Sequence, residues 1–551
     1  MTSVTADVAH AAAGDSGGWR RFCKLRWSAP DLVTSIDVSQ VRVDEAAGSP
    51  LAAALARGLE AMAALEAGAL ANSDEGRMVG HYWLRDPGLA PREDIRAAIV
   101  QAQDGVQALA KAVRDGQLSG QDGPFRSVIH VGIGGSALGP QLLAGALGGE
   151  DDRIRPFFLD NADPDGFADV VRCVPGGLGR TLVSVVSKSG ITPTPQRVLT
   201  ELESAYRSGG LDFARHAVAT TMAGSQLDEY AAGQRWLARL PLWDWVGGRT
   251  SVTSPAGLFL AALLGVDVAA FLDGAATMDR LTREAGIERN PAALLARAWY
   301  VLGEGRGSRN MVVLPYADAL ALLPRYLQQL VMESLGKRLD RRGLPVHQGL
   351  TVYGHKGCTD QHSYLQQVRD GRPDGFVTFV RVHRPHRARP AEPGTDPALA
   401  DHLFGNLEGT REALRERSRE SITISIDEVS PRSLGALIAL FERAVGLYAE
   451  LIDVNAYHQP GVDKHAAASA LALQGTVLSC LRTATAPVTA EEVARATGAS
   501  GREEMIFTLL EHLAISRARG VRMRGGTDAR EAVFWLVTGE VPRQRGAVCD
   551  G

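Results

Sequence analysis

The sequence predicts an α/β protein: two blocks of parallel sheet flanked by helices, with a small α/β module towards the C-terminal end. Three observations predict it. Short β-branched runs alternate with helical stretches from about residue 91 onward. Two of those runs end in glycine- and hydroxyl-rich tips, Val131-Gly132-Ile133-Gly134-Gly135-Ser136 and Ser187-Lys188-Ser189-Gly190-Ile191-Thr192. The chain has 551 residues, 45% hydrophobic and 22% charged, which is the make-up of a globular protein of two or three domains.

Residues 1–18 are polar and rich in Ala and Gly, without the basic start and apolar run of a secretory signal. From 18 to about 91 the chain reads as mostly helical, with 44–71 rich in Ala, Leu and Glu. Strand-like runs follow at Ser127–Val131, Arg155–Leu159, 181–187 and 216–221, and again at Asn310–Pro315, 350–353 and Gly375–Val382. Long helices are expected over 318–339 and 431–455. The most apolar stretch, 255–272, carries Asp267 and two glycines. A membrane span needs about 20 uninterrupted apolar residues, so this stretch is expected to be a buried helix. Residues 382–397, rich in Pro and Arg, read as an exposed loop. From 486 a capping-box-like start at 487–492, a helix near 503–513, a Gly/Arg turn and a strand at 532–537 resemble a winged helix. The expected divisions are 1–90, 91–275, 276–485 and 486–551.

The formal charge of −4 gives no global basic field, so nucleic acid is not expected as a partner. Five scattered cysteines without CxxC spacing argue against a disulfide framework and a zinc site, and fit a reducing cytoplasm.

The two strand tips point to chemistry. Glycines let a backbone approach a ligand, and hydroxyls and free N–H groups at a helix start suit a phosphate. Gly134, Gly135 and Ser136 lack the full GxGxxG spacing and the GK[ST] ending, which disfavours dinucleotides and nucleoside triphosphates. Ser187, Ser189 and Thr192, with Lys188, put three hydroxyls and an ammonium at one helix start; ordinary capping explains one hydroxyl more readily than three. Arg249, in Gly247-Gly248-Arg249-Thr250-Ser251, is either a phosphate or oxyanion partner or a plain surface arginine. Glu333, on an apolar helix, is either paired with Lys337 at i+4 or a base held in a cleft. His362 lies in the polar cluster 357–362, which opens a helix after the 350–353 strand; there it is an acid/base candidate or a structural histidine. Lys464 by itself reads as a solvated lysine at a helix start.

In order, the segments GIGGSALGP, SKSGITPTP, VGGRTSVTSPAGL, QQLVMESLGK, GCTDQHSY and NAYHQPGV resemble the phosphoglucose isomerase family over about 76–474. Residues 76–91 and the 489–513 segment resemble its cyanobacterial and plastid branch. The resemblance implies two sugar-isomerase (SIS) domains, a homodimer with active sites at the interface, and no metal or organic cofactor. It implies interconversion of glucose 6-phosphate and fructose 6-phosphate through ring opening and a cis-enediol. Glu333 would then be the proton-shuttling base, with His362 and Lys464 as further acid/base groups. Ser187, Lys188, Ser189 and Thr192 would bind the phosphate, and Gly134, Gly135 and Ser136 would line the sugar site. Arg249 and Gln361 would orient the chain or stabilise the enediolate. The ring-opening group stays open among His362, His402, His355 and Lys464, as does use of mannose 6-phosphate. Sugar-phosphate-sensing regulators also carry SIS domains, but a sensor needs no proton shuttle.

Overall fold

The structure, a computed structural model, describes residues 16–42, 50–149, 153–385, 398–459, 464–516, 519–525 and 528–537. They belong to two compact units, 1–459 and 460–551.

Two sheets organise the larger unit. The first has five parallel strands in the order Arg155–Leu159, Ser127–Val131, Thr181–Val186, Ala217–Met222, Ala238–Leu242. Ser127–Val131 and Thr181–Val186 are buried at every position, as central strands covered on both faces must be. The chain starts at Ser127–Val131, steps out to the edge, then returns across it. The order therefore reverses between Ser127–Val131 and Thr181–Val186, and the two glycine- and hydroxyl-rich tips leave the carboxyl ends of those two strands. A ligand crevice in an open α/β sheet forms at such a switch point.

The second sheet runs Arg26–Ala29, Thr34–Asp37, Ser421–Ile426, Gly375–Val382, Asn310–Pro315, Val352–Tyr353. Its last four strands are parallel; the first two form an antiparallel hairpin laid against Ser421–Ile426. Here the reversal falls between Asn310–Pro315 and Gly375–Val382.

Three expectations are corrected. The 18–91 region is not mostly helical: helices Ser16–Leu25 and Pro50–Glu66 enclose the hairpin. Four-residue strands are too short to show a period, and their pairing partner is remote in sequence. The 318–339 region is not one helix but a 3₁₀ turn, a short helix Leu323–Leu327, a π-helical turn Gln328–Glu333, and a strand Lys337–Leu339 paired with Pro345–Gln348. Strands Ala238–Leu242 and Ser421–Ile426 join the expected ones. The expected helix at 431–455 forms as Pro431–Leu451, and the apolar 255–272 stretch contains the wholly buried helix Pro255–Leu263.

Helix Pro431–Leu451 packs backbone to backbone on Val268–Leu281: a Cβ on Gly435 would stand 2.0 Å from Phe271 O, and one on Gly274 1.9 Å from Arg432 O. Beside this contact lies a buried ion network. Arg85 Nη1 donates to Asp279 Oδ1 at 2.9 Å and Arg85 also pairs with Glu442. Arg443 Nε donates to Asp279 Oδ1 at 3.0 Å, and Arg443 shares Glu66 with Arg283, which is 2.9 Å away. Burial would raise the Glu66 pKa, but Arg283 and Arg443 hold it below the usual carboxylate value. No helix among the described residues is long and apolar enough to cross a membrane.

In the smaller unit, helices Lys464–Thr483, Ala490–Ala496 and Glu503–Ile515 precede an antiparallel hairpin, Val521–Arg524 with Val533–Leu536. Its core closes on Val493, Ile506, Leu510, Leu513, Val521 and Phe534, all fully buried. The expected capping box forms: Thr489 Oγ1 accepts from Glu492 N, and Glu492 Oε2 accepts from Thr489 N at 2.8 Å. Residues 1–15, most of the 382–397 loop (386–397) and 538–551 lie outside the described residues.

Candidate active site

Three turns at the carboxyl edge of the first sheet adjoin one another. Gly134 has φ +57°, and a Cβ on Gly135 would stand 2.0 Å from Gly248 O, so only glycine lets these two turns touch. Ser251 Oγ donates to Gly135 O at 3.2 Å. Lys188 Nζ donates to Asp244 O and Val246 O, each at 2.8 Å, tying the 187–192 turn to the residues just before Gly247. His130, buried beneath the first turn, bonds Ser136 O at 2.7 Å through Nε2. A carbonyl only accepts, so Nε2 carries the proton. Burial pushes the pKa of His130 down to about 4, which keeps the ring neutral.

Within the 187–192 turn, Ser187 Oγ accepts from Gly190 N at 3.1 Å, and Gln196 Nε2 holds Gly190 O at 2.7 Å. Thr192 is the N-cap of helix Pro193–Ser208, yet its hydroxyl makes no capping bond. A cap bonds the N–H of the second or third helical residue, and the third here is Pro195, which has none. Ser189 Oγ meets Ile191 N only at 3.5 Å. Ser189 and Thr192, both half-buried, thus keep hydroxyls that capping does not consume.

Glu333 closes the π-helical turn; such turns re-aim side chains and recur at functional sites. Its carboxylate faces two donors: Arg249 Nε at 3.2 Å from Oε2 and Gln459 Nε2 at 2.7 Å from Oε1. The expected i+4 pair with Lys337 is not made through the carboxylate. Lys337 Nζ donates instead to the main-chain carbonyls of Glu333, at 2.7 Å, and His458, at 3.0 Å. Arg249 is buried, and its guanidinium also donates to Ser334 Oγ at 2.9 Å, His458 O at 2.8 Å and Ala456 O. Burial pulls the Arg249 pKa down, while Glu333, Glu75 and Tyr457 push it back. The Glu333 side chain stays 29% exposed, so the carboxylate remains reachable from outside.

The structure therefore joins Gly134, Gly135, Ser136, Ser187, Lys188, Ser189 and Thr192 into adjoining turns, with Arg249 linking them to Glu333. Gln361 and His362 are placed elsewhere. Gln361 Nε2 bonds Tyr316 OH at 2.7 Å and Asn406 O at 3.0 Å. The polar cluster 357–362 opens a helix as expected, Gly357–Gln361, and His362 is the exposed residue that ends it. Among the described residues neither bonds the Arg249–Glu333 cluster. Lys464 is the first residue of helix Lys464–Thr483, and its side chain lies outside what is described. No group of three or more His, Cys, Asp or Glu that could hold a metal ion occurs among the described residues.

Sequence reasoning passed over Gln459, Lys337 as an anchor, and Gln329, whose Nε2 lies 2.8 Å from where a Gly134 Cβ would stand. Two signals pointed to them: Gln459 sits inside the NAYHQPGV segment, and Gln329 precedes Glu333 by four residues.

A hydroxyl-lined turn at a switch point, next to a carboxylate held by an arginine and an amide, marks an α/β enzyme that handles phosphorylated sugars by acid/base chemistry. The family profile "Phosphoglucose isomerase" matches residues 37–392. The chain belongs to the phosphoglucose isomerase family. It is 51% identical over 500 residues to a glucose-6-phosphate isomerase of Synechococcus sp., covering 90% of this chain and 94% of that one. It is 50% identical over 522 residues to that of Geobacter sulfurreducens, covering 94% and 98%. Among solved structures, a glucose-6-phosphate isomerase from Chlamydia trachomatis superposes with TM-score 0.75 at 26% identity, over 84% of this chain and 92% of that one. A hypothetical protein from Thermus thermophilus superposes with TM-score 0.64 at 29% identity, over 77% and 95%.

Proposed function

We infer that this chain interconverts glucose 6-phosphate and fructose 6-phosphate, with Glu333 as the base. The observation that carries the reading is the Glu333 carboxylate held by Arg249 and Gln459, with Arg249 in one of three adjoining glycine- and hydroxyl-rich turns. Ser187, Ser189 and Thr192 hydroxyls, with Lys188, hold the phosphate, and Gly134, Gly135 and Ser136 line the sugar chain. Ring opening moves the anomeric hydroxyl proton away as the C1–O5 bond breaks and O5 gains a proton; His362 and Lys464 are the acid/base groups for it. Glu333 then takes the C2 proton and returns it to C1, while protons shift between O1 and O2. A carboxylate has about four lone-pair directions, so the two donors leave room for that proton. Arg249 places fixed positive charge where the enediolate forms, and Gln361 orients the chain. No metal or organic cofactor enters these steps.

We further propose a cytoplasmic homodimer. Exposed Leu399 and Phe404 on helix Leu399–Glu416 support a pairing surface, and the scattered free cysteines support a reducing compartment. His362 is exposed and, among the described residues, makes no bond to its own chain's Glu333, which supports its serving the site of the second copy. Mixing Glu333→Gln with His362→Asn subunits would then restore activity, which neither alone shows. We read the larger unit as two SIS-type domains dividing near 275. In the smaller unit, helix Glu503–Ile515 carries three glutamates and no Lys or Arg, which opposes nucleic-acid binding.

The test is a coupled assay of fructose 6-phosphate conversion on EDTA-treated protein, with mannose 6-phosphate alongside. Conversion of fructose 6-phosphate supports the reading; none with either sugar overturns it.

A further inference from the structure

Lys337 is buried, 4% exposed, and does not touch the Glu333 carboxylate. Its Nζ joins two segments by their main chains, bonding Glu333 O at 2.7 Å and His458 O at 3.0 Å. The same His458 carbonyl accepts from Arg249 Nη2 at 2.8 Å. These two segments carry the two halves of one contact: Glu333, and Gln459 next to His458, whose Nε2 is 2.7 Å from Glu333 Oε1. Fixing both carbonyls fixes where the amide meets the carboxylate.

We propose that Lys337 is a positioning residue of the isomerase reaction: its ammonium ties the main-chain carbonyls of Glu333 and His458 together and so aims the carboxylate at the substrate carbons. The proposal rests on the reading of Glu333 as the base. A misplacement of about 1 Å costs about 100-fold in rate. A neutral amine would still have two hydrogens, but a charge-assisted bond is about twice as strong as a neutral one, and losing the charge also removes a cation near the developing enediolate.

The charged groups facing the ammonium are Arg249 from the 248–250 turn, Glu333 on its own segment, Asp74 from the 72–77 turn and, when protonated, His458. Burial first, then Arg249, pushes the Lys337 pKa down to about 8 against Glu333 and Asp74. The ammonium is present below that pH and is lost as pH rises through it, so activity falls on the alkaline side.

The test compares parent, Lys337→Met, Lys337→Arg and Glu333→Gln by steady-state kinetics across neutral to alkaline pH, with melting temperatures. Lys337→Met is expected to lower kcat about 100-fold with KM changed by less than about threefold. The alkaline limb of the parent should disappear. Lys337→Arg, which keeps its charge throughout, should recover kcat to within about tenfold of the parent and move the limb upward. A Lys337→Met kcat within about twofold of the parent, with the limb unmoved, overturns the proposal. If Lys337→Met does not fold, an unmoved limb in Lys337→Arg overturns it. Undiminished activity in Glu333→Gln overturns the base reading itself, and is distinguished because no Lys337 variant is involved.

Discussion

The two sheets of the larger unit each reverse their strand order once, yet their switch points are built differently. In the first, the turn after Ser127–Val131 meets Gly248 main chain to main chain, the turn after Thr181–Val186 is held by the Ser187, Lys188 and Gln196 side chains, and the Ser189 and Thr192 hydroxyls make no capping bond. In the second, Tyr316 follows Asn310–Pro315, and its hydroxyl accepts the Gln361 amide at 2.7 Å and lies 3.4 Å from Thr410 Oγ1. There the polar groups bond one another and anchor helix Leu399–Glu416. Topology makes a crevice available at both reversals; what differs is that the Ser189 and Thr192 hydroxyls make no capping bond, whereas Tyr316, Gln361 and Thr410 bond one another. The first switch point keeps hydroxyls outside capping bonds, and the second pairs its polar side chains with one another.

Substitutions can break or sharpen that contrast. The largest effect is expected where the two halves are tied together. Arg443→Leu leaves Glu66 and Asp279 buried with a partner missing, and should cost about 3–5 kcal/mol in chemical denaturation. An unchanged midpoint would mean that the network does not join the helices behind the two sheets. Gly135→Ala drives a methyl into Gly248 O, which stands 2.0 Å from the added carbon. The turns must part, and kcat/KM should fall about 100-fold with little change in melting temperature. Thr192→Val removes one hydroxyl from the 187–192 turn, the proposed phosphate site. A hydrogen bond to a charged group contributes about 1.5–3 kcal/mol, so KM should rise about 10- to 100-fold with kcat nearly constant. Tyr316→Phe, at the second switch point, should cost about 1 kcal/mol of stability and change KM by less than about threefold, because the Gln361 amide keeps Asn406 O as a partner. A KM effect there as large as that of Thr192→Val would erase the distinction between the two sheets.

What was legible in the sequence follows from the same contrast. The first sheet's central strands are short, fully buried and rich in β-branched residues, so their burial shows in composition, and Ser127–Val131 forms as read; the edge strand Arg155–Leu159, mostly half-buried, also forms as read. The 187–192 turn is contiguous, so its hydroxyls show in the sequence itself. The surroundings of Glu333 could not. Its partners, Arg249 and Gln459, come from distant segments, and the π-helical turn that aims it has no periodic signature. Lys337 looked like an i+4 ion-pair partner because side-chain spacing cannot reveal that an ammonium will choose main-chain carbonyls. The hairpin Arg26–Ala29 with Thr34–Asp37 was hidden for a related reason: a four-residue strand is defined by the edge it joins, here Ser421–Ile426.

The central claim is that Glu333 carries the proton between C2 and C1. The most direct measurement is hydrogen exchange in deuterated water, following the C2 hydrogen of glucose 6-phosphate by proton NMR with the parent and with Glu333→Gln. The parent should replace that hydrogen by deuterium as it isomerises. Glu333→Gln should still bind the sugar phosphate and open its ring, while exchange at C2 slows at least about a thousandfold. Exchange at C2 as fast in Glu333→Gln as in the parent would contradict the account and move the base elsewhere.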